Sequence, residues 1–188
     1  MRFVPTALPG VLVLEQERHA DARGYFARTW CTNELQAQGL LGEISQCSVS
    51  FNHKQRTLRG LHYQAPPYAE VKVVRCARGA LFDVAVDIRP DSPSFRRWVG
   101  VELTVDNGRA LYIPKGFAHG FYTLQDATEV EYFISTEYRP EAARGLRYDD
   151  ALFGVAWPGP VDVIADRDRQ YPDATLAALE EMRGRLPV

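Results

Sequence analysis

The chain predicts a mainly β fold, an antiparallel sandwich or barrel, and three observations carry that prediction. Short apolar runs recur at Val71–Cys76, Ala80–Ile88, Trp98–Thr104, Arg109–Ile113, Gly120–Leu124 and Thr128–Ser135. Turn signals separate them at Arg78-Gly79, Arg89 to Pro93, Asp106-Asn107-Gly108, Pro114-Lys115-Gly116 and Gln125-Asp126. No helical periodicity lies between the runs, which argues against a parallel α/β sheet. With 188 residues, 46% of them hydrophobic, the chain can bury a substantial core, and residues 1–188 are expected to form one domain.

The outlying elements are read in chain order. Val11-Leu12-Val13-Leu14 follows a Pro-Gly turn and reads as a strand, buried on both faces or at a subunit contact. His19 to Phe26 passes through Gly24 into an aromatic pair; taken alone, it reads as an ordinary loop-to-strand junction. Thr32–Leu41 carries an N-cap candidate in Thr32 or Asn33 and ends near Gly39, the pattern of a short helix. Gln46 to Phe51 alternates polar and apolar residues, as a half-buried strand does. Beyond Pro140 the pattern loosens into charged loops, and Asp173–Arg183 places Leu176, Leu179 and Met182 at helical spacing for a closing surface helix.

Composition excludes several function classes. Lys+Arg 22 against Asp+Glu 24 gives a formal charge of -2, so nothing global attracts nucleic acid or an anionic membrane, and any anion site must be local. Cys31, Cys47 and Cys76 are odd in number and form no CxxC pair, which fits reduced thiols in a cytoplasm. The first fourteen residues are interrupted by Pro5 and Pro9 and read as neither signal peptide nor membrane span. Four histidines, His19, His53, His62 and His119, at no i/i+2 or i/i+4 spacing, argue against a metal cage.

The chemistry concentrates in Arg59-Gly60-Leu61-His62-Tyr63-Gln64 and in Lys72, set among Val71, Val73 and Val74. An imidazole ionises near neutral pH, and two neighbouring cations can hold an anion beside it, so His62 reads as a base. By pattern alone a strand histidine or tyrosine is more often structural, and Lys72 is as often directed to solvent as to a site. Asp83 and Asp87, on one face of Phe82–Ile88, are read as structural.

The element Gly108 to His119, with Pro114-Lys115-Gly116-Phe117-Ala118-His119 at its end, resembles the second motif of the cupin superfamily, in which a turn aims a histidine into a small jelly-roll barrel. Metal-dependent cupins place an imidazole pair where this chain has His62-Tyr63-Gln64. Further motifs make the resemblance specific: Asp21-Ala22-Arg23-Gly24-Tyr25-Phe26, Leu58 to Gln64, Lys72, Phe82 to Arg89, Ile113 to Phe121 and Tyr132. Together they resemble the dTDP-4-dehydrorhamnose 3,5-epimerase family over nearly the whole chain. That resemblance implies a cupin barrel, a homodimer with exchanged N-terminal strands, and a cofactor-free epimerase of nucleotide-diphospho-4-keto-6-deoxy sugars. His62 then corresponds to the base, Lys72 to the cation beside the developing oxyanion, Tyr132 to the acid on the opposite face, and Asp168 to the carboxylate that orients the histidine. Arg23, Phe26, Arg28, Gln46, Ser48, Arg59, His119, Tyr138 and Arg167 fall at positions implied to bind substrate, Arg23 in trans.

Departures from the family pattern bear on the nucleotide. Arg28 stands for a glutamate, Ser48 for an asparagine, Ala143 for a glutamate and Arg167 for a lysine, while Ala165 replaces a serine near Asp168. A guanidinium in place of a carboxylate inverts the donor and acceptor demand, which favours a nucleotide such as GDP or CDP over dTDP. Inversion at C3, C5 or both stays open. Two rivals belong to other classes: a cupin 3,4-ketoisomerase, against which stands the lack of a second histidine beside His62, and a non-catalytic sugar-binding cupin.

Overall fold

The computed structural model describes residues 1–183. It opens with β1 (Arg2–Pro5), β2 (Leu12–Glu15), β3 (Arg18–Asp21), β4 (Gly24–Ala27) and helix α1 (Thr32–Ala37). Next come β5 (Gln46–Asn52), β6 (Thr57–Gln64), β7 (Lys72–Arg78), β8 (Ala80–Asp87), β9 (Trp98–Thr104) and β10 (Ala110–Ile113). The chain closes with β11 (Phe117–Thr123), β12 (Thr128–Ile134), β13 (Ala143–Gly145), β14 (Val163–Ile164), α2 (Asp166–Arg169), α3 (Leu176–Leu179) and a 3-10 turn over Glu180–Met182.

Two antiparallel sheets face each other, in the orders β1-β2-β10-β7-β12-β5 and β13-β6-β11-β8-β9, with β14 added parallel to β6. The jelly-roll expectation is met. The alternation of each strand sorts its side chains into layers. Val74 and Cys76 of β7, Leu81 and Ala85 of β8, Phe117 and Phe121 of β11 and Val130 of β12 pack between the sheets. The opposite faces serve two outer clusters: Val71 and Val73 meet Leu35 of α1, and Val84, Val86 and Leu61 meet Leu179 and Met182 of the C-terminal turn. Each Val, Leu, Phe or Met among them stabilises the fold by about 1.5–3 kcal/mol when fully buried. An inward polar residue forgoes that gain, so Lys72, Asp83, His119 and Tyr132, set on the inward face at one end of the barrel, are exceptions that need a reason.

A β-bulge supplies the geometry of the site. Across β6 and β11 the register pairs His62 with His119 but Arg59 with Phe121, so three residues on β6 span what two span on β11. The extra residue lets Arg59 and His62, three apart, line the same cavity, although a regular strand would send them to opposite faces. Gly60 makes this possible: its φ is +123°, and an added Cβ would lie 2.5 Å from the Cα of Gly120.

Differences from expectation have local causes. His19 to Phe26 is no loop junction; it is a hairpin of β3 and β4, hidden because both strands are exposed and lack apolar alternation. Neither Thr32 nor Asn33 caps α1: the N-cap is Cys31, with no side-chain hydrogen bond, and Thr32 donates instead to the Gly42 carbonyl at 3.0 Å. The closing helix is docked rather than superficial on one side, with Leu179 and Met182 buried and Leu176 exposed. No helix among the described residues is long and apolar enough to cross a membrane.

Candidate active site

A cavity of about 310 Å³ opens at the end of the barrel where the inward polar residues collect. One wall comes from β6 and β11 and presents Arg59, His62 and His119; the facing wall comes from β5, β7 and β12 and presents Gln46, Ser48, Lys72 and Tyr132. Tyr138, Ala143 and Arg167 close its rim.

His62 is half-buried and oriented from behind. Its Nε2 lies 2.8 Å from Asp168 Oδ1, and the other carboxylate oxygen accepts the Gly60 N–H at 3.1 Å. Burial alone would raise the Asp168 carboxyl. The hydrogen bond and charge of His62, the Gly60 N–H and Arg167 outweigh it and hold the carboxyl below its ordinary value. An ionised carboxylate only accepts, so Nε2 carries the proton and Nδ1 keeps a free lone pair. The Arg167 Nη2, 3.4 Å from the same Nε2, cannot also donate to it in that tautomer; it is the Arg167 Nε that donates, to Asp168 Oδ1 at 3.4 Å. Tyr171 stands edge-on to the imidazole, ring centroids 6.2 Å apart.

On the facing wall, Lys72 sits on the inward face of β7 with Val74 and Cys76, which removes the solvent-facing reading. Its Nζ lies 2.8 Å from Glu70, whose second oxygen accepts from Gln64 at 3.0 Å. The Gln64 amide, at the place of a metal cupin's imidazole, is occupied elsewhere: its nitrogen also reaches the Tyr68 and Glu137 carbonyls and its oxygen accepts the Arg139 N–H at 2.6 Å. Among the described residues no group of three or more His, Cys, Asp or Glu side chains is placed to hold a metal ion. Burial and the nearby Asp83 carboxylate push the Tyr132 phenol well above its ordinary value, so it carries its proton throughout the physiological range.

Asp83 and Asp87 part company. Asp87 is structural, accepting from Arg89, Ser92 and Ser94 at 2.5–2.9 Å. Asp83 instead lies under the cavity, with Oδ1 2.7 Å from His119 Nε2. A second histidine does stand beside His62, contrary to the sequence reading: His119 is its direct partner on the adjacent strand, 57 positions away and invisible without the register. Arg59 both lines the cavity and braces it, donating to Asn52 Oδ1 at 2.8 Å and to the Phe51 carbonyl at 3.3 Å.

Three of the expected substrate contacts lie outside this cavity. Arg23 and Phe26 project on the β3–β4 hairpin, where Arg23 pairs with Asp21 and Phe26 is 73% exposed. Arg28 is held by Glu34 at 2.6 Å and lines a separate, small cleft with Glu15 and Arg75. Glu70 and Tyr171 were not signalled by any motif; only their proximity in the fold marks them.

The match to known proteins agrees with this geometry. The family model described as dTDP-4-dehydrorhamnose 3,5-epimerase matches residues 5–175. The dTDP-4-dehydrorhamnose 3,5-epimerase of Salmonella typhimurium is 43% identical over 185 residues, covering 96% of this chain and 100% of that protein. Among solved structures, the Bacillus anthracis dTDP-4-dehydrorhamnose 3,5-epimerase with TDP and PPi bound superposes with a TM-score of 0.88 at 36% identity, over 91% of this chain and 98% of that one. ChmJ, a 3'-monoepimerase from Streptomyces bikiniensis in complex with dTDP-quinovose, superposes with a TM-score of 0.84 at 32% identity, over 95% and 90% of the two chains. With its two facing sheets, its bulged His62 strand and these relatives, the chain is a cupin-type jelly roll that belongs to the dTDP-4-dehydrorhamnose 3,5-epimerase family.

Proposed function

We propose that the protein epimerises C3, C5 or both of a dTDP-linked 4-keto-6-deoxyhexose, with no cofactor. One observation carries the reading: His62 from one sheet and Tyr132 from the other line a single cavity from facing walls. A C4 ketone acidifies the protons at C3 and C5. Nδ1 of His62 removes one of them, the Lys72 ammonium stabilises charge developing on the C4 oxygen, and the Tyr132 phenol delivers a proton from the other side. Arg59 on the His62 wall and Arg167 at the rim suit the diphosphate.

The case for GDP or CDP loses its footing on Arg28. Its guanidinium pairs with Glu34 outside the cavity, and the similar solved structures hold TDP or a dTDP-sugar, so dTDP is the nucleotide proposed. Incubation in D2O followed by NMR tests the reaction. Deuterium is expected at C3, at C5 or at both, with the configuration inverted. A displaced carbonyl would establish a ketoisomerase, and binding with no exchange a sugar-binding protein. The C3-only outcome is the second reading, favoured by the likeness to a 3'-monoepimerase.

Asp168→Asn tests the dyad. An amide can offer its oxygen or its N–H to Nε2, so the tautomer is no longer fixed, and kcat is expected to fall about 10²–10⁴-fold with KM changed little. The sign of the pH effect follows from the depressed carboxyl. Asp168 stabilises the fold at neutral pH, and that contribution is lost as the pH drops from the ordinary carboxylate range through its lower folded value. Acid denaturation of the variant should therefore be less steep than that of the wild type.

A homodimer with exchanged N-terminal strands completes the proposal, with Arg23 and Phe26 entering the other subunit's cavity. What supports it is uncovered apolar surface: Phe26 at 73% and Tyr25 at 54% on the hairpin, Val49 at 61% and Phe51 at 40% on the outer face of the edge strand β5. Sedimentation equilibrium should give twice the chain mass; a fully active monomer would rule the arrangement out.

A further inference from the structure

If the epimerase reading holds, each inversion displaces a proton across the pocket. His62 ends as imidazolium and Tyr132 as phenolate, and neither can repeat its step until the proton returns. The groups for that return are already assembled. His119 is the strand partner of His62 across β6 and β11, and its ring stands edge-on to Tyr132 with centroids 6.0 Å apart. It lines the cavity at 5% exposure. Its Nε2 is committed to Asp83 at 2.7 Å, and Nδ1 forms no hydrogen bond among the described residues. Asp83 is 0% exposed, and its Oδ2 is one of only two buried side-chain polar atoms without a partner among the described residues. The other, Ser50 Oγ, lies on the strand beside Tyr132 and close enough to pull on its phenol, which leaves Asp83 Oδ2 as the orphan. Native folds rarely tolerate such orphans unless they serve a purpose.

We propose that His119, backed by Asp83, carries the proton from His62 back to Tyr132 inside the cavity. The N–H bond at His62 Nδ1 breaks and, through a bridging hydroxyl of the substrate or a water, a new one forms at His119 Nδ1. The resulting imidazolium then gives that proton to the Tyr132 phenolate. His62 is neutral again, the phenol is restored, and His119 and Asp83 return to their starting charge. Asp83 is a positioning residue here. A carboxyl buried without a full set of partners favours a proton on the pair it forms with His119, and burial does push its own ionisation upward, against the opposing pull of His119 and Lys72.

Pre-steady-state deuterium incorporation separates this role from a structural one. With dTDP-4-keto-6-deoxyglucose in D2O, His119→Gln is expected to show a burst of about one deuterium per active site at a rate near the wild type's, because Tyr132 is loaded once. Later turnovers should be at least about tenfold slower than the wild type's, which shows no burst. Asp83→Asn, close in volume, should give the same pattern with a smaller slowing, and it carries the test if His119→Gln does not fold. Burst and later turnovers falling in proportion would assign His119 to binding or packing and overturn the relay. So would later turnovers within about twofold of wild type in the variants that fold, since bulk water would then reload the phenol. Absence of exchange in the wild-type protein would instead strike the epimerase reading itself.

Discussion

Replacing His62 by alanine should abolish deuterium exchange at every carbon while leaving nucleotide binding nearly intact. A positioned general base contributes about 10²–10⁴ in rate, and the one other imidazole on that wall, His119, is held by Asp83 and set against Tyr132 rather than backed by Asp168. Arg59 and Arg167 are permanently protonated, and burial raises the Tyr171 phenol, so it holds its proton. The fold should survive the change. Asp168 would lose one partner but keep the Gly60 N–H and the Arg167 guanidinium, so its charge is not stranded. Exchange should fall at least about 10³-fold by NMR, with calorimetry giving a dTDP affinity within a few-fold of wild type. The same titrations should rank dTDP above GDP, CDP and UDP; a reversed order would restore the argument from Arg28, Ser48, Ala143 and Arg167. Exchange retained in the variant would remove His62 from the mechanism.

How much of this was legible in the sequence depends on which physical signal each feature leaves. The strands β6 to β12 announce themselves because each buries one or both faces, and an alternating or continuous apolar run is the direct consequence; β5 alternates too, but its apolar side is left uncovered. The β3–β4 hairpin leaves no such trace, since its residues face solvent on both sides in the isolated chain. Lys72 is ambiguous by alternation alone, because Val73 and Val74 are both apolar and either face can be the core; only the packing of α1 against Val71 and Val73 assigns it inward. The bulge at Gly60 is the deepest omission. A regular strand predicts that Arg59 and His62 diverge, and the pairing across β11 that brings them together, with His119 beside His62, is a property of register. The roles of His62, Tyr132 and Asp168 are readable only through linked motifs shared with a family. Glu70 and Asp83, which hold Lys72 and His119, come from contacts that no linear motif encodes.

Replacing Tyr132 by phenylalanine should separate exchange from inversion, a result that a purely structural tyrosine would not give. The ring is retained, so its edge-on contact with His119 and its packing in the barrel survive. What disappears is the one proton aimed from the wall opposite His62. The base can still remove a proton, and Lys72 still stabilises the enolate, so the carbanion forms at a rate limited by the same His62–Asp168 pair. Its only efficient proton source is then the His62 imidazolium, on the face from which the proton left. In D2O the imidazolium can trade its proton for deuterium before returning it, and the substrate gains deuterium with its configuration unchanged. The expected outcome is epimerisation reduced about 10²–10⁴-fold, with deuterium incorporation into unepimerised substrate reduced far less, measured by NMR in one reaction. If exchange and inversion fell together, carbanion formation itself would depend on the phenol, and Tyr132 would belong with Lys72 as an oxyanion contact rather than as the acid. If inversion persisted at the wild-type rate, the proton would have to come from another group on that wall. Lys72, already poised there against Glu70, would then be the next candidate.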